Sequence, residues 1–379
     1  MNNRQRFKAV LNYEPYDRLP IMGFGYWSEL LDKWVREGHL TSEEIEGIHD
    51  GCPKDTALSK KLGFDITFWS AWPRHADHSV APLLHPPFES NVLKEYPDGS
   101  RERLDGNGVV ILEKKGVSAI PYEVRHTLID RSSWEEHYLP RLQYSEERFD
   151  QAHMLKLAKE SEKRDYPLGL FCLSLFGEIR NWMGVEGISY LYADDEDLYK
   201  EIIDTVGNLT FKYTKRMLEF DIQFDSGFFW EDICFKNGPL VIPSVFDELV
   251  GPHYRKITDL VKSHGINIIM LDCDGVIDSL IPTWFNNGVN TMFPIEVGTW
   301  GASILPWREK YGKELRGVGG MNKMVLSYDR AAVDAEIERL KPLVELGGYL
   351  PCPDHRLPPE TKWELVQYYC DKMKKTFSS

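Results

Sequence analysis

From about residue 165 to its end, the chain alternates short apolar runs with longer amphipathic ones, and this alternation restricts the fold more than any other feature. Apolar runs at 167–175, 222–230, 266–274, 289–297, 315–321 and 348–352 read as strands. The stretches between them have helical spacing. In 328–348, Ala332, Val333, Ile337, Leu340, Leu343 and Val344 fall on one face, and Gly347-Gly348 ends the pattern. Continuous apolar strands flanked by helices imply a parallel sheet buried on both faces. Two earlier runs, 18–26 and 64–70, bring the set to eight, so the predicted fold is α/β, a (β/α)8 TIM barrel. An open doubly wound sheet is the rival architecture, but no G-x-G-x-x-G turn follows the first strand.

One barrel domain over 1–379 is expected, with an antiparallel hairpin insertion at 91–130. There the turn signals Pro97–Gly99 and Asp105–Gly108 separate alternating polar and apolar runs. Charge narrows the partners. With 59 acidic against 45 basic side chains, the net charge of −14 argues against binding nucleic acid through phosphate neutralisation. No apolar run reaches the ~18 residues of a membrane span, and the first twenty residues carry no apolar leader. Six scattered cysteines make a poor disulfide framework, so a reducing, cytoplasmic setting is expected, with no membrane partner.

Barrels of this kind build their sites from the carboxyl ends of the strands. Polar residues gather at four such ends: Glu231, Asp232 and Cys234; Asp272, Cys273 and Asp274; Glu296; and Cys352, Asp354 and His355. Cys273, Glu296 and Cys352 come from three different strands and offer two thiolates and a carboxylate, a donor set that zinc accepts. Asp232, Asp272 and His355 are candidates for supporting roles around such a metal. The spacing C-x22-E-x55-C is no short chelating motif, and the competing reading makes both cysteines buried small hydrophobes and Glu296 an ion-pair partner.

Four blocks, 3–21, 230–257, 272–296 and 347–360, together resemble the uroporphyrinogen decarboxylase-like superfamily, which includes corrinoid-linked and coenzyme M methyltransferases. Similarity to the C-terminal barrel of cobalamin-independent methionine synthase is weaker. The resemblance covers most of the chain and implies a (β/α)8 barrel. Cys273 and Cys352 fall on the two cysteines of the methyltransferases' His-x-Cys…Cys zinc motif, and Glu296 matches the metal-ligand glutamate of the methionine synthase barrel. Leu271 stands at the histidine position, which departs from the thiol-activating methyltransferases. No arginine occurs between Arg18 and Arg36, where true uroporphyrinogen decarboxylases hold the substrate's carboxylates.

Aromatic residues crowd the expected mouth: Tyr26, Trp27, Trp69, Trp72, Phe176, Trp182, Phe229, Trp230, Phe293 and Trp300. As a set they suggest a flat or apolar substrate, and the resemblance implies methoxylated aromatic compounds. The expected reaction is O-demethylation by a zinc-dependent methyltransferase. Zn2+ on Cys273, Glu296 and Cys352 acts as Lewis acid, and the methyl group passes to the Co(I) corrinoid (cobalamin) of a partner protein. His355 and Asp232 are the candidate proton donors. Tyr26, Trp27, Trp69, Phe176, Arg180, Phe229, Trp230 and Asn322 are the candidate substrate-binding residues. The alternatives are a decarboxylase, a methyltransferase using another methyl donor or a thiol acceptor, and a non-catalytic binding barrel.

Overall fold

The computed structural model describes residues 1–73, 80–114 and 121–378. Its parallel strands are, in chain order, β1 (Met22–Gly23), β2 (Ile66–Thr67), β3 (Gly169–Phe171), β4 (Ser226–Trp230), β5 (Ile269–Asp272), β6 (Thr291–Phe293), β7 (Arg316–Met321) and β8 (Tyr349–Pro353). Strands β3 to β8 form one six-stranded sheet in which sequence neighbours are also spatial neighbours. Its register pairs Phe171 with Phe228, Asp272 with both Trp230 and Phe293, and Cys352 with Gly320. Helices separate all of these strands, as parallel crossovers require.

Strands β1 and β2 form a separate parallel pair. It joins β8 through a parallel bridge of Tyr26 with Leu357, where Leu357 N–H donates to Gly25 O at 2.9 Å and Trp27 N–H to Leu357 O at 3.2 Å. The pair also faces the large sheet across an aromatic core. Phe68, just after β2, stacks on Phe293 of β6 at 4.1 Å, and Phe24, just after β1, meets the same ring edge-on at 5.0 Å. Near β3, the Trp72 indole covers Gly169, whose missing Cβ would lie 2.3 Å from the ring, and donates to Ser226 Oγ at 3.0 Å. Six parallel strands, a facing parallel pair and interleaved helices are compatible with the TIM-barrel type.

The strands are shorter than the apolar runs. The run 64–70 holds a two-residue strand because Thr67 turns to capping, its Oγ1 accepting from Ser70 N–H, and Phe68–Ala71 becomes helical. The run 289–297 ends as a strand at Phe293, since Pro294 supplies no N–H. Between β2 and β3 lies a four-stranded antiparallel sheet: Asn91–Glu95, Ser100–Leu104, Val109–Lys114 and Tyr122–His126. Gly99 and Gly108 turn its first two hairpins with φ of 81° and 77°, and Arg101 and Arg103 both clasp Glu113 across the strands. Among the described residues no helix is long and apolar enough to cross a membrane.

Candidate functional site

Strain marks the carboxyl ends of the strands. Leu173, Asp232 and Ile295, which follow β3, β4 and β6, hold left-handed backbone with φ of 63°, 45° and 57°. Non-glycine residues avoid this region, and such strain tends to persist where surrounding structure fixes a functional arrangement.

Each strand end then contributes a charged or aromatic group. Asp232 accepts from Arg180 Nη2 at both its backbone oxygen (2.9 Å) and Oδ2 (3.1 Å). That pair ties the β4 loop to the helix Gly177–Asp194 that follows β3. His355 Nε2 lies 3.6 Å from Asp274 Oδ2, linking the β8 and β5 loops. The His355 ring stacks over Trp27 at 5.9 Å and meets Phe24 edge-on at 5.6 Å. Phe24 stacks in turn on Trp69 at 5.7 Å. Beside these rings Arg356 grips Asp50 with both terminal nitrogens, Nη1 at 2.7 Å from Oδ1.

Sequence candidates therefore divide. Trp27, Trp69 and His355 come together at the mouth, and Arg180 and Asp232 form their own pair nearby in the β3–β4 loops. Tyr26, Phe176 and Phe229 point their rings into the helix layer. Tyr26 hydrogen-bonds Ser59 at 2.8 Å and packs on Trp34, Phe176 contacts Tyr199 and Phe246, and Phe229 contacts Tyr254. Asn322 caps the turn Lys323–Ser327, its side chain accepting from Met324 N–H at 3.0 Å. Trp230 is partly buried at the end of β4.

The three metal candidates occupy different surroundings. Cys273 is fully buried, with Ile233 N–H donating to its Sγ at 3.4 Å. Burial, and then the neighbouring Cys234 thiol, push the Cys273 thiol well above the ordinary range. Glu296 lies against the turn after Cys273: Gly275 N–H donates to Oε2 at 2.6 Å and Thr299 Oγ1 to Oε1 at 2.9 Å. Cys352 is buried opposite Gly320, and burial together with Asp354 pushes its thiol well up. Among the described residues no three His, Cys, Asp or Glu side chains form a metal-holding group. Glu296 thus sits beside the Cys273 loop, and Cys352 lies on β8.

Several residues here have no role assigned from the sequence, although Cys234 and Asp354 stand among the strand-end polar residues. Cys234 follows β4 as Cys273 follows β5, and strands adjacent in the sheet bring such residues together; that adjacency was the available signal. Arg356 and Asp50 lie 306 positions apart, and no local pattern links them. Asp354 is fully buried, taking Gly298 N–H at 2.7 Å and Lys323 N–H at 3.1 Å, and so pins the loops after β6 and β7 to β8.

Asp55 lies close behind the Arg356–Asp50 pair, accepting from Gly51 N–H at 3.1 Å. Burial, with Asp50's like charge, pushes its pKa up to about 6 against the opposing pull of Gly51 N–H, Arg356 and His49. The folded value stands above the unfolded one, so the folded state binds this proton more tightly and loses stability as pH rises from about 4 to 6. Asp55→Asn keeps an acceptor for Gly51 and removes the buried charge. It is expected to raise stability by about 2 kcal/mol near pH 7.5 and to change it little near pH 4. Thermal denaturation of both proteins at the two pH values checks this.

No family model matches the sequence, and no curated protein matches it. Among solved structures, the chain is similar to a methyltransferase from Methanosarcina mazei, at 15% identity and a TM-score of 0.61, covering 99% of each chain. A putative vitamin-B12-independent methionine synthase from Listeria monocytogenes aligns over 96% of this chain and 99% of its own, at 12% identity and a TM-score of 0.45. Phosphonopyruvate hydrolase aligns over 99% of this chain and 85% of its own, at 9% identity and a TM-score of 0.32. The last two scores carry no argument. The first extends over the whole of both chains, and this chain therefore shares the fold of a methyltransferase.

Proposed function

We propose that the protein is a methyltransferase that removes the methyl group of a methoxylated aromatic compound and delivers it to the reduced corrinoid of a partner protein. The observation that carries this reading is the group at the strand ends, His355 against Trp27 and Phe24 with Trp69 stacked on Phe24, in a fold shared with a methyltransferase. Flat rings in offset and edge-on contact present faces on which an aromatic substrate can stack. His355 Nε2 lies 3.6 Å from Asp274 Oδ2, close enough for the carboxylate to stabilise a charged imidazole.

The chemistry follows from what an aryl methyl ether needs. The bond between methyl carbon and ether oxygen breaks, and its electron pair stays on the oxygen. The methyl carbon forms its new bond with the acceptor, whose reduced cobalt supplies the electron pair. The departing phenolate takes a proton, and His355 is positioned to give it, with Asp274 stabilising the charged imidazole before transfer. Trp27 and Trp69 orient the ring, and packing among them keeps water from the reacting oxygen. Asp232, held by Arg180, ties the β4 loop to the helix that follows β3.

Zinc on Cys273, Glu296 and Cys352 belongs to the same proposal as a binding claim, and no step above runs through it. Metal analysis tests it directly. The protein purified in the presence of zinc is expected to hold about one equivalent. A Cys273→Ser, Cys352→Ser double variant is expected to hold almost none. A full zinc complement in the folded double variant removes these cysteines from the proposal.

A further inference from the structure

Arg356 is the charged group most closely surrounded by the rings of the mouth. Its guanidinium carbon lies 5.7 Å from the Trp69 ring, 5.9 Å from Trp27 and 6.0 Å from Phe24. Gly25 permits this approach: with φ of 138°, it would place a Cβ 3.3 Å from Nη1 if it carried one. Asp50 takes one bond from each terminal nitrogen. A guanidinium has five N–H donors, and no described residue accepts from Nε. The pair is not sealed in, with Arg356 22% and Asp50 37% exposed. Asp50 belongs to a short irregular segment between Gly47 and Gly51, both with left-handed backbone.

Two consequences follow from this placement. Rings that could cage a cation already face one, so a methylated ammonium donor would meet like charge where it needs aromatic faces. An anionic substituent on a stacked ring would instead find a planar fork matched to a carboxylate. We propose that Arg356 determines specificity by holding a carboxylate on the aromatic substrate, with Asp50 as the resident carboxylate that the substrate displaces. This deepens the proposed function and rests on that reading for the methyl transfer, but not for the binding. The substrate class it names is the methoxylated aromatic acid.

Binding is measured calorimetrically with 3-methoxybenzoate and 3-methoxybenzamide, and with benzoate, benzamide and tetramethylammonium, none of which has a methyl ether. A charge-assisted bond predicts that each acid binds about ten- to a hundred-fold more tightly than its amide, with no measurable binding of tetramethylammonium. Arg356→Gln is expected to reduce the acid-to-amide ratio to about two or less, and Arg356→Lys to restore part of it. Asp50→Asn removes the competitor and is expected to raise the ratio, an outcome that misfolding cannot mimic. Equal affinity for acid and amide in the native protein, or an unchanged ratio in folded Arg356→Gln, overturns the proposal. Because benzoate has no methyl group to transfer, acid-selective binding without turnover would leave the assignment of Arg356 standing and count against methyl transfer alone.

Discussion

Replacing Glu231 with leucine is expected to lower the stability of the folded protein by about 4 kcal/mol. Glu231 is wholly buried at the end of β4, and its carboxylate collects five donors. Ser174 Oγ donates at 3.0 Å, the backbone N–H groups of Leu175, Phe176 and Gly177 at 2.9, 2.9 and 2.7 Å, and the Tyr254 hydroxyl also donates. Three of those donors lead into the helix Gly177–Asp194, whose first N–H groups have no carbonyl partner within the helix and favour a negative charge. Burial pushes the carboxyl above its ordinary range, while these hydrogen bonds favour the ionised form. Leucine fills the space but leaves buried donors unsatisfied, and each costs about 1–3 kcal/mol before relaxation. Gly177→Ala is expected to be comparably damaging, because its Cβ would fall 2.0 Å from Glu231 O. Urea denaturation measures both, and a loss below about 1 kcal/mol for Glu231→Leu would show that the donors find other partners. The same helix carries Arg180, so the damage extends to the Arg180–Asp232 pair.

The second large effect belongs to His355. His355→Gln is expected to lower kcat for demethylation by about a hundred- to ten-thousand-fold, the range of a lost general acid. KM should change much less, since glutamine still fills space between Trp27 and Phe24. Asp274→Asn leaves the imidazole in place without its carboxylate and should cost about tenfold, less than loss of the ring itself. Steady-state kinetics on the two variants separates the roles. Equal, small effects would assign His355 to packing against Trp27 alone.

Much of the architecture was legible in the sequence, for a physical reason. Strands β3 to β8 are buried on both faces and so read as uninterrupted apolar runs between amphipathic helices. That same double burial hid which side each residue faces. Phe228 stacks on Phe171 of the neighbouring strand, whereas adjacent Phe229 turns to Tyr254 in the helix layer. Two consecutive phenylalanines carry no alternation from which to read that phase, and so Phe229, like Tyr26 and Phe176, entered the candidate substrate set. Strand-end position drew attention to Trp27, Trp69, Asp232 and His355, which the structure also sets just after β1, β2, β4 and β8. It could not supply their partners. Asp50 reaches Arg356 from an irregular segment near the other end of the chain, a contact that only the closed structure brings about. The thiol beside Cys273 belongs to Cys234, for a related reason: the register between β4 and β5 decides which loop residues meet.

Methyl transfer is the central claim, and its most direct test is a single assay. The purified protein is incubated with cob(I)alamin and a panel of methoxylated aromatic compounds, acids and neutral ethers together. The optical change from cob(I)alamin to methylcobalamin is followed, and the aromatic product is identified by mass spectrometry. The expected result is methylcobalamin formed in step with a phenol lighter by one methylene unit, fastest with the aromatic acids. Release of carbon dioxide from those acids with no methylcobalamin, or binding of them with no product at all, would contradict it.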